Sequence, residues 1–277
     1  MRVAAIADLH FGGERQDAER LERNQRLLDT LVDLDLKVLL VAGDLTTRAR
    51  GAEFLAASRW LRSIDVPTLV IPGNHDLPYW NLVRRFGRPL SRFGRLFAWP
   101  DGAMLERDDA LFVGGSSVVS WHPHLRWQDG RFARQELRRI EARFAGRGAA
   151  PGFKAFVSHH PVVPVAASAT TGRPSRVAHR AARVLDILHR YRVELAVSGH
   201  EHLSGVRIVE RDGWRLFGLS VPTALSHRQR GERNGFWTVD IEPGSLSFRL
   251  WQHTHSGRFA PQPVMRHARL VASNARS

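Results

Sequence analysis

Residues 3–10 read Val-Ala-Ala-Ile-Ala-Asp-Leu-His, a short apolar run that ends in an acid and a histidine two positions apart. Small and β-branched residues in an unbroken apolar run are typical of a strand buried on both faces. The pattern recurs further along the chain, where Gly43-Asp44 follows Lys37–Ala42 and Gly73-Asn74-His75-Asp76 follows Thr68–Ile71 and Pro72. These stretches predict buried strands that each end in polar side chains.

Helical periodicity separates these strands. Apolar residues recur at helical spacing in Ala18 to Leu36, and Glu53–Leu61 follows the same rule. Strand, helix and strand in this order indicate parallel strands joined by crossover helices. The remaining predicted elements are a hairpin over Met104–Arg107 and Ala110–Gly114, helices over Arg131–Phe144 and Ala181–Tyr191, and strands over Phe153–Ser158, Glu194–Ser198, Val206–Arg211, Trp214–Leu219, Phe236–Ile241 and Leu246–Trp251.

The 277 residues contain no internal repeat and no linker that would divide them. We therefore expect a single domain over residues 1–255 and a C-terminal tail over residues 256–277, where the periodicity is lost. No apolar run approaches the roughly 20 residues of a membrane span, and the first one is too short for a signal peptide. The sequence predicts a soluble, cytoplasmic protein with no membrane partner, either a monomer or a homodimer.

The composition excludes several kinds of site and partner. There is no cysteine, which rules out thiolate metal ligands, cysteine nucleophiles and disulfides. The net charge is +14, but all except two of the 41 basic residues are arginine, and they are scattered along the chain. Genome-wide codon bias explains this skew more simply than a nucleic-acid surface does. A small substrate is therefore the partner we expect, rather than nucleic acid.

Five groups of potential metal ligands follow predicted strands: Asp8 with His10, Asp44, Asn74 with His75 and Asp76, His159-His160, and His200 with His202. Each group alone is compatible with a helix cap or a turn. The carboxyl ends of parallel strands share one edge of a sheet, so together the five predict one polar crevice. A carboxylate can bridge two cations, and this many imidazoles favours two transition-metal ions, Mn or Fe in particular, with Zn or Co as alternatives.

The same ordered set, ending in His159-His160-Pro161 and Gly199-His200-Glu201-His202, resembles the calcineurin-like metallophosphoesterase superfamily over residues 1 to about 205. Two further stretches, Asp8–Gly12 and Arg228–Glu232 with Asn234, resemble its bacterial cyclic-nucleotide-phosphodiesterase-like branch. The resemblance implies an α/β fold, a four-layer αββα sandwich of two mixed sheets flanked by helices.

The resemblance also implies a role for each matching residue. It implies two metal ions and seven ligands: Asp8, His10 and His202 for the first ion, Asn74, His159 and His200 for the second, and Asp44 as the bridge. His75 matches the family's non-ligand histidine, which contacts the phosphoryl group or protonates the leaving oxygen. His160 is then a neighbour that packs or hydrogen-bonds beside the ligands. Asp76 either orients His75 or has an ordinary role in the turn.

The activity implied by the resemblance is hydrolysis of a phosphate ester by in-line attack of a hydroxide that bridges the two ions. A phosphodiester is favoured, with a cyclic-nucleotide-like substrate. The alternatives are a phosphomonoesterase, a nucleotide pyrophosphatase, a nuclease and a non-catalytic binding scaffold. A scaffold is expected to have lost ligands, whereas every ligand position here holds a competent residue.

Three weaker signals concern the substrate. Tyr79 and Trp80 follow the third group of ligands and either stack on a base or belong to the core. Residues Val162–Arg176 form a long segment that we expect to overhang the site. The arginines of Ser226–Asn234 offer a contact to phosphate.

Overall fold

The apolar runs form two mixed β-sheets in the computed structural model, which describes residues 1–12, 18–121, 129–146, 152–164, 176–227 and 230–270. In chain order the strands are β1 (Arg2–Ile6), β2 (Val38–Val41), β3 (Thr68–Val70), β4 (Met104–Arg107), β5 (Ala110–Gly115), β6 (Phe153–Ser158), β7 (Leu195–Ser198), β8 (Gly205–Arg211), β9 (Trp214–Ser220), β10 (Gly235–Ile241), β11 (Ser245–His253), β12 (Phe259–Pro261) and β13 (Met265–Ala268). The helices are α1 (Ala18–Asp33), α2 (Gly51–Arg62), α3 (Leu82–Gly87), α4 (Ser91–Phe97), α5 (Arg134–Ala145) and α6 (Ala181–Arg190), and a 3₁₀ turn covers Asn74–Asp76.

Each of the two sheets has parallel strands at its centre. In the first sheet the order is β12-β11-β10-β1-β2-β3, and β13 also pairs with β11. Strands β1, β2 and β3 are parallel, as the alternation of strands and helices predicts, while β10 runs antiparallel to β1. The second sheet has the order β4-β5-β6-β7-β9-β8, with β5, β6, β7 and β9 parallel and antiparallel strands at both edges.

Three apolar layers hold the sheets and helices together. The layer between the sheets takes side chains from both, such as Val3 and Leu40 from the first and Val157 and Val197 from the second. The outer face of the first sheet packs on α1, α2 and α4 through a second layer, and the second sheet packs on α5 and α6 through a third. The predicted four-layer αββα sandwich is confirmed.

The C-terminal segment differs from the expected tail. Residues 259–261 and 265–268 form strands that pair antiparallel with the two halves of β11. These strands are very short and most of β13 is exposed, so no long apolar period marks them in the sequence. The first sheet therefore extends beyond residue 255.

Two other differences concern helices. The predicted helix over Arg131–Phe144 begins at Arg134, because Arg131 forms a bridge with His179 instead. Helices α3 and α4 were not predicted, since each has seven residues or fewer and Pro89 lies between them. Among the described residues, no helix is long and apolar enough to cross a membrane.

Candidate metal centre

The predicted ligands meet where both sheets present the carboxyl ends of their parallel strands. The first sheet supplies four of them in the turns that follow β1, β2 and β3, and the second supplies three after β6 and β7: Asp8, His10, Asp44 and Asn74, then His159, His200 and His202. Because the two sheets pack face to face, the ligands from the strand ends of both sheets meet at one site.

The first cluster contains Asp8, His10 and His202. One donor atom from each lies within 4.8 Å of the others, and all three residues are buried. His202 Nε2 lies 3.2 Å from Asp8 Oδ1, and His10 Nε2 lies 3.8 Å from the same oxygen. Two imidazoles and one carboxylate that face a common point suit a transition-metal ion.

The second cluster is centred on the amide oxygen of Asn74. His159 Nε2 and His200 Nδ1 each lie 3.1 Å from Asn74 Oδ1. His159 donates its Nδ1 hydrogen to the Ala42 carbonyl at 2.8 Å, which in the neutral ring leaves the Nε2 lone pair directed toward the cluster. A carbonyl acceptor behind an imidazole is the usual arrangement that orients a metal-binding histidine.

The carboxylate of Asp44 faces both clusters. Its Oδ2 lies 3.3 Å from His159 Nε2 and 3.8 Å from His10 Nε2. Its Oδ1 accepts the backbone N–H of His75 at 2.8 Å, which fixes the orientation of the group. The Oδ2 oxygen of Asp44 therefore faces one nitrogen from each cluster.

The arrangement passes a test of fit for a cation. Within the described part of the chain, His10 Nε2 is a buried nitrogen without a hydrogen-bond partner, although carboxylate oxygens of Asp8 and Asp44 lie 3.8 Å away. An unpaired buried polar atom costs free energy, about 1–3 kcal/mol. Coordination to a cation would satisfy this nitrogen together with the oxygens that face it.

The protonation states also suit metal binding. Burial lowers the pKa of His10 to about 4, and burial followed by the charge of His160 lowers the pKa of His200 well below its usual range. Burial alone would raise the pKa of Asp44, but the charge and hydrogen bond of His159 outweigh it and hold that pKa well below the usual value. At neutral pH the lone pairs of His10 and His200 and the carboxylate of Asp44 are therefore available to a cation. His159 differs: the charge and hydrogen bond of Asp44 outweigh its burial and raise its pKa to about 9, so a cation that binds Nε2 displaces a proton there.

The backbone at the site is strained. Asp8, His10, Asp44, His200 and His202 all have φ between 48° and 69°. Side chains other than glycine rarely adopt this left-handed region, and such residues are concentrated at functional sites. Five of the seven predicted ligands are thus held in an unfavourable conformation by the surrounding structure.

Two glycines allow the clusters to approach one another. A Cβ on Gly73 would lie 2.1 Å from Asp44 Oδ1, and a Cβ on Gly199 would lie 2.8 Å from Asp8 Oδ2. Each glycine precedes a predicted ligand in its own strand-end turn and makes room for a ligand from another turn. This close approach is the physical reason for a glycine at these two positions.

His75 lies beside the first cluster. It donates its Nδ1 hydrogen to the Thr47 carbonyl at 2.9 Å, and its ring centroid is 4.8 Å from that of His10. Its donor atom is also within 4.8 Å of those of His10 and Asp44, so distance alone permits a role as a ligand.

Asp76 joins two strand-end turns. It accepts the backbone N–H groups of Leu45, Thr46 and Gly73, at 3.2, 2.9 and 2.9 Å, and the Thr46 hydroxyl at 2.9 Å. Burial, together with the charge of Asp44, raises the pKa of this carboxyl to about 6. Of the two roles that the sequence left open, these contacts favour the one in the turn.

His160 is buried beside the second cluster. Its Nδ1 lies 2.8 Å from Ser117 Oγ, and Ser117 Oγ also accepts the His160 backbone N–H at 3.1 Å. Its ring centroid lies 4.3 Å from that of His200. Both expected forms of contact, packing and hydrogen bonding, are present, and its donor atom also lies within 4.8 Å of those of His159 and His200.

Sequence reasoning missed two residues that support the first cluster. Arg20 is buried on α1, and its Nη2 donates to the Leu9 and His10 carbonyls at 3.1 and 2.7 Å. Thr223 donates its hydroxyl to the Asp8 carbonyl at 2.8 Å. The signal for Arg20 is its position: it lies with Leu27 and Leu31 on the buried face of α1.

The weaker sequence signals have mixed outcomes. Tyr79 and Trp80 are 50% and 78% exposed and contact each other edge to face, which excludes the core and leaves stacking as the remaining prediction. Asn234 is buried and donates to the Ser226 and Thr223 carbonyls, so it supports a turn. Most of the predicted overhang, residues 165–175, lies outside the described residues, as do positions 228 and 229.

Comparison with known protein families gives a match over most of the chain. Residues 1–204 match the model of the calcineurin-like phosphoesterase family. Over 266 residues the chain is 24% identical to a probable cyclic nucleotide phosphodiesterase of Synechococcus sp., covering 94% of this chain and 96% of that protein.

Solved structures show the same fold at low identity. Purple acid phosphatase PPD1 from seeds of yellow lupin (Lupinus luteus) has a TM-score of 0.66 and 13% identity over 97% of this chain. The match covers 54% of the lupin chain, so this protein spans about half its length. A dimetal phosphatase from Danio rerio has a TM-score of 0.61 and 15% identity, with 94% of this chain and 98% of that chain covered.

Proposed function

The chain belongs to the calcineurin-like phosphoesterase family of hydrolases, and on this premise we propose that it hydrolyses a phosphodiester with two metal ions held in the candidate metal centre. Asp8, His10 and His202 hold one ion in this proposal, and Asn74, His159 and His200 hold the other. The observation that carries the proposal is the position of Asp44, whose Oδ2 lies within 4 Å of a nitrogen from each cluster. When bound, the two cations supply an activated water near neutral pH and neutralise charge on the phosphate oxygens.

The protein's own residues prepare this site in three ways. Asp44 bridges the clusters in the proposal, and the backbone N–H of His75 holds its second oxygen. His10 and His200 stay neutral at neutral pH because burial lowers the pKa of each. We propose that the two ions are manganese or iron, since the donors combine imidazoles with carboxylate and amide oxygens.

His75 is the proposed catalytic residue. Its Nδ1 donates to the Thr47 carbonyl, so the ring can deliver a proton only through Nε2, which carries one when the imidazole is protonated. A positioned acid that protonates the leaving oxygen typically contributes about a hundredfold to ten-thousandfold in rate. A cyclic-nucleotide-like diester is the proposed substrate class, supported by similarity to the Synechococcus protein and by the two exposed aromatic residues, Tyr79 and Trp80.

The first experiment compares bis-p-nitrophenyl phosphate with p-nitrophenyl phosphate on protein reconstituted with Mn(II) or Fe(II). A higher kcat/KM for the diester is expected. A preference for the monoester would identify a phosphomonoesterase instead, and no turnover with either metal, or with Zn(II) or Co(II), would identify a binding scaffold.

Two variants separate metal binding from proton delivery, with metal content measured by mass spectrometry. Asp44→Ala is expected to lose both stoichiometric loading of two ions and turnover. His75→Ala is expected to retain two ions and to lose at least about a hundredfold in kcat, the lower end for general acid catalysis. Loss of an ion in His75→Ala would make it a ligand, and wild-type turnover would remove it from the reaction.

A further inference from the structure

A basic pocket lies outside the candidate metal centre. It is an open pocket of about 540 Å³ lined by Val119, Trp121, Arg131, Ala133, Arg134 and Arg180. Half of these residues are arginine and none is acidic. We refer to these six residues as the arginine pocket.

Among the described residues, no acid forms an ion pair with the arginines that line the arginine pocket. Within the described part of the chain, neither Arg131 nor Arg134 forms an ion pair. The two nearest acids in the sequence have other partners: Asp129 lies 3.8 Å from Arg176, and Glu136 accepts the Ser116 N–H.

Arg180 shows the effect of this crowding. Its Nη1 donates to the Phe132 carbonyl at 3.0 Å, which holds the guanidinium beside the pocket. Desolvation and then the positive charges of Arg131 and Arg134 lower its pKa. Three guanidinium groups in one pocket repel one another, and a bound anion would relieve that repulsion.

The arginine pocket adjoins the metal centre through a short series of contacts. The backbone N–H of Arg131 donates to the Ser117 carbonyl at 2.7 Å. Ser117 Oγ contacts His160, whose ring lies against that of the predicted ligand His200. Arg134 begins α5 and Arg180 directly precedes α6, the helices that follow β5 and β6, so the pocket lies at the same carboxyl edge as the metal centre.

We propose that the arginine pocket binds a second phosphate group of the substrate, with a base stacked on Trp121. This inference rests on the proposed function and narrows its substrate class to nucleotides with two phosphates separated by a nucleoside, such as short or cyclic dinucleotides. A guanidinium group can donate two parallel hydrogen bonds to the oxygens of one phosphate. Trp121 lines the same pocket as the three arginines and is 56% exposed. A mononucleotide would place its one phosphate at the metal centre and leave this pocket empty.

The test compares two thymidine dinucleotides, pTpT with a 5′-phosphate and TpT without it, on the Mn(II)-loaded full chain. Wild-type protein is expected to prefer pTpT by about tenfold or more in kcat/KM, which corresponds to about 1.4 kcal/mol. Arg134→Gln, a change at an exposed residue, is expected to abolish most of this preference. Arg138→Gln is the matched control: it makes the same change on the exposed surface of α5 one turn later and is expected to keep the preference.

A second measurement does not depend on hydrolysis. Calorimetry in EDTA should detect binding of pTpT to the wild type and to Arg138→Gln, with at least tenfold weaker binding to Arg134→Gln and to Trp121→Ala. Equal rates for pTpT and TpT in the wild type, or the same loss of binding in Arg138→Gln as in Arg134→Gln, would overturn the arginine pocket as a specific site. Equal losses would point to a diffuse attraction of nucleic acid to the basic surface.

The two proposals can fail separately. If no metal supports hydrolysis of bis-p-nitrophenyl phosphate, the proposed function fails, and the EDTA titration alone decides whether the arginine pocket binds phosphate. If the diester is hydrolysed but the 5′-phosphate has no effect on rate or binding, the arginine pocket fails and the proposed function stands.

Discussion

The carboxylate of Asp44 lies directly against the backbone of Gly73, and this contact ties the proposed bridging residue to the turn that carries Asn74. A side chain at Gly73 would have to occupy the space that Asp44 Oδ1 and its backbone nitrogen already fill, at 2.1 and 2.3 Å. The neighbours on that side are a carboxylate and backbone, so neither can rotate away as the end of a flexible chain would. The geometry of the predicted second cluster therefore depends on the absence of one methyl group.

Gly73→Ala is expected to weaken metal binding by about tenfold to a hundredfold, the range for losing a group that orients a ligand. The methyl group would displace Asp44, Asn74 or both, and overpacking should also lower the free energy of unfolding by about 1–3 kcal/mol. Titration with Mn(II) measures the first effect, and urea unfolding of the metal-free protein measures the second.

Gly51→Ala is the matched control, because a Cβ at Gly51 meets no atom within 4 Å. Gly51 begins α2, so alanine should leave metal affinity unchanged and alter stability by no more than about 1 kcal/mol. Wild-type Mn(II) affinity in Gly73→Ala would show that the close contact does not position the ligands.

At the scale of single residues, the sequence predicted ligand types but not their conformations. The order of Asp, His and Asn residues after apolar runs was enough to locate all seven predicted ligands at the ends of strands. It held no information on the positive φ of Asp8 or His202, because a side chain adopts that conformation only when distant contacts impose it. Thr223, more than 200 positions away, provides one such contact to Asp8.

At the scale of elements, the turns after β2 and β3 are joined by the carboxylate of Asp76. The turn after β2 supplies the N–H groups of Leu45 and Thr46, and the turn after β3 supplies that of Gly73. All three donors are buried with the acid itself. Parallel strands bring two turns to one edge, and this residue then fixes their relative position.

Asp76→Ala is expected to destabilise the metal-free protein by about 3 kcal/mol or more, since three buried N–H groups would each lose their acceptor at about 1–3 kcal/mol. The exposed Asp65 in the loop before β3 provides the control, and Asp65→Ala should change stability by less than about 0.5 kcal/mol. Urea midpoints measure both. Similar midpoints for the two variants would show that the joined turns contribute little to stability.

Most strands were predictable from apolar runs, whereas strands β12 and β13 and helices α3 and α4 were not. The apolar run Val38–Ala42 is unbroken, and the structure places strand β2 over Val38–Val41. Helices α3 and α4 carry too few residues to show a period, and their burial depends largely on Phe93 and Arg85. A helical period can be recognised in a sequence only when the helix has several turns.

At the scale of the whole molecule, the apolar layer between the sheets supports our proposal that they form a single domain. That layer contains residues from β1, β2, β6, β7 and β10, which span most of the sequence. The pairing of β12 and β13 with β11 extends the same sheet past residue 255. Sequence patterns failed there because the segment contributes hydrogen bonds, one buried ion pair and a lone core side chain, Phe259, rather than a repeated apolar pattern.

That ion pair joins the two sheets at the end opposite the metal centre. Arg269 follows β13, and its Nε and Nη2 donate to the two oxygens of Glu194, each at 2.7 Å, with both side chains nearly buried. Glu194 directly precedes β7, whose other end leads to His200. Arg269 also donates to the Gly152 carbonyl before β6 and to the Glu242 carbonyl after β10.

Arg269→Ala is expected to lower the free energy of unfolding by about 3–5 kcal/mol, because it leaves the Glu194 carboxylate buried without its partner. Arg266→Ala is the control from the same segment: Arg266 pairs with Glu242 at 2.6 Å, but both side chains are exposed, so its loss should cost no more than about 1 kcal/mol. Urea unfolding measures both variants, and Mn(II) affinity should match the wild type in each, since the pair lies at the amino end of β7. If Arg269→Ala unfolds at the same midpoint as Arg266→Ala, the C-terminal segment is peripheral to the domain after all. If Arg269→Ala remains folded but binds Mn(II) more weakly, the ion pair with Glu194 affects the metal centre at the opposite end of the sheets, contrary to this prediction.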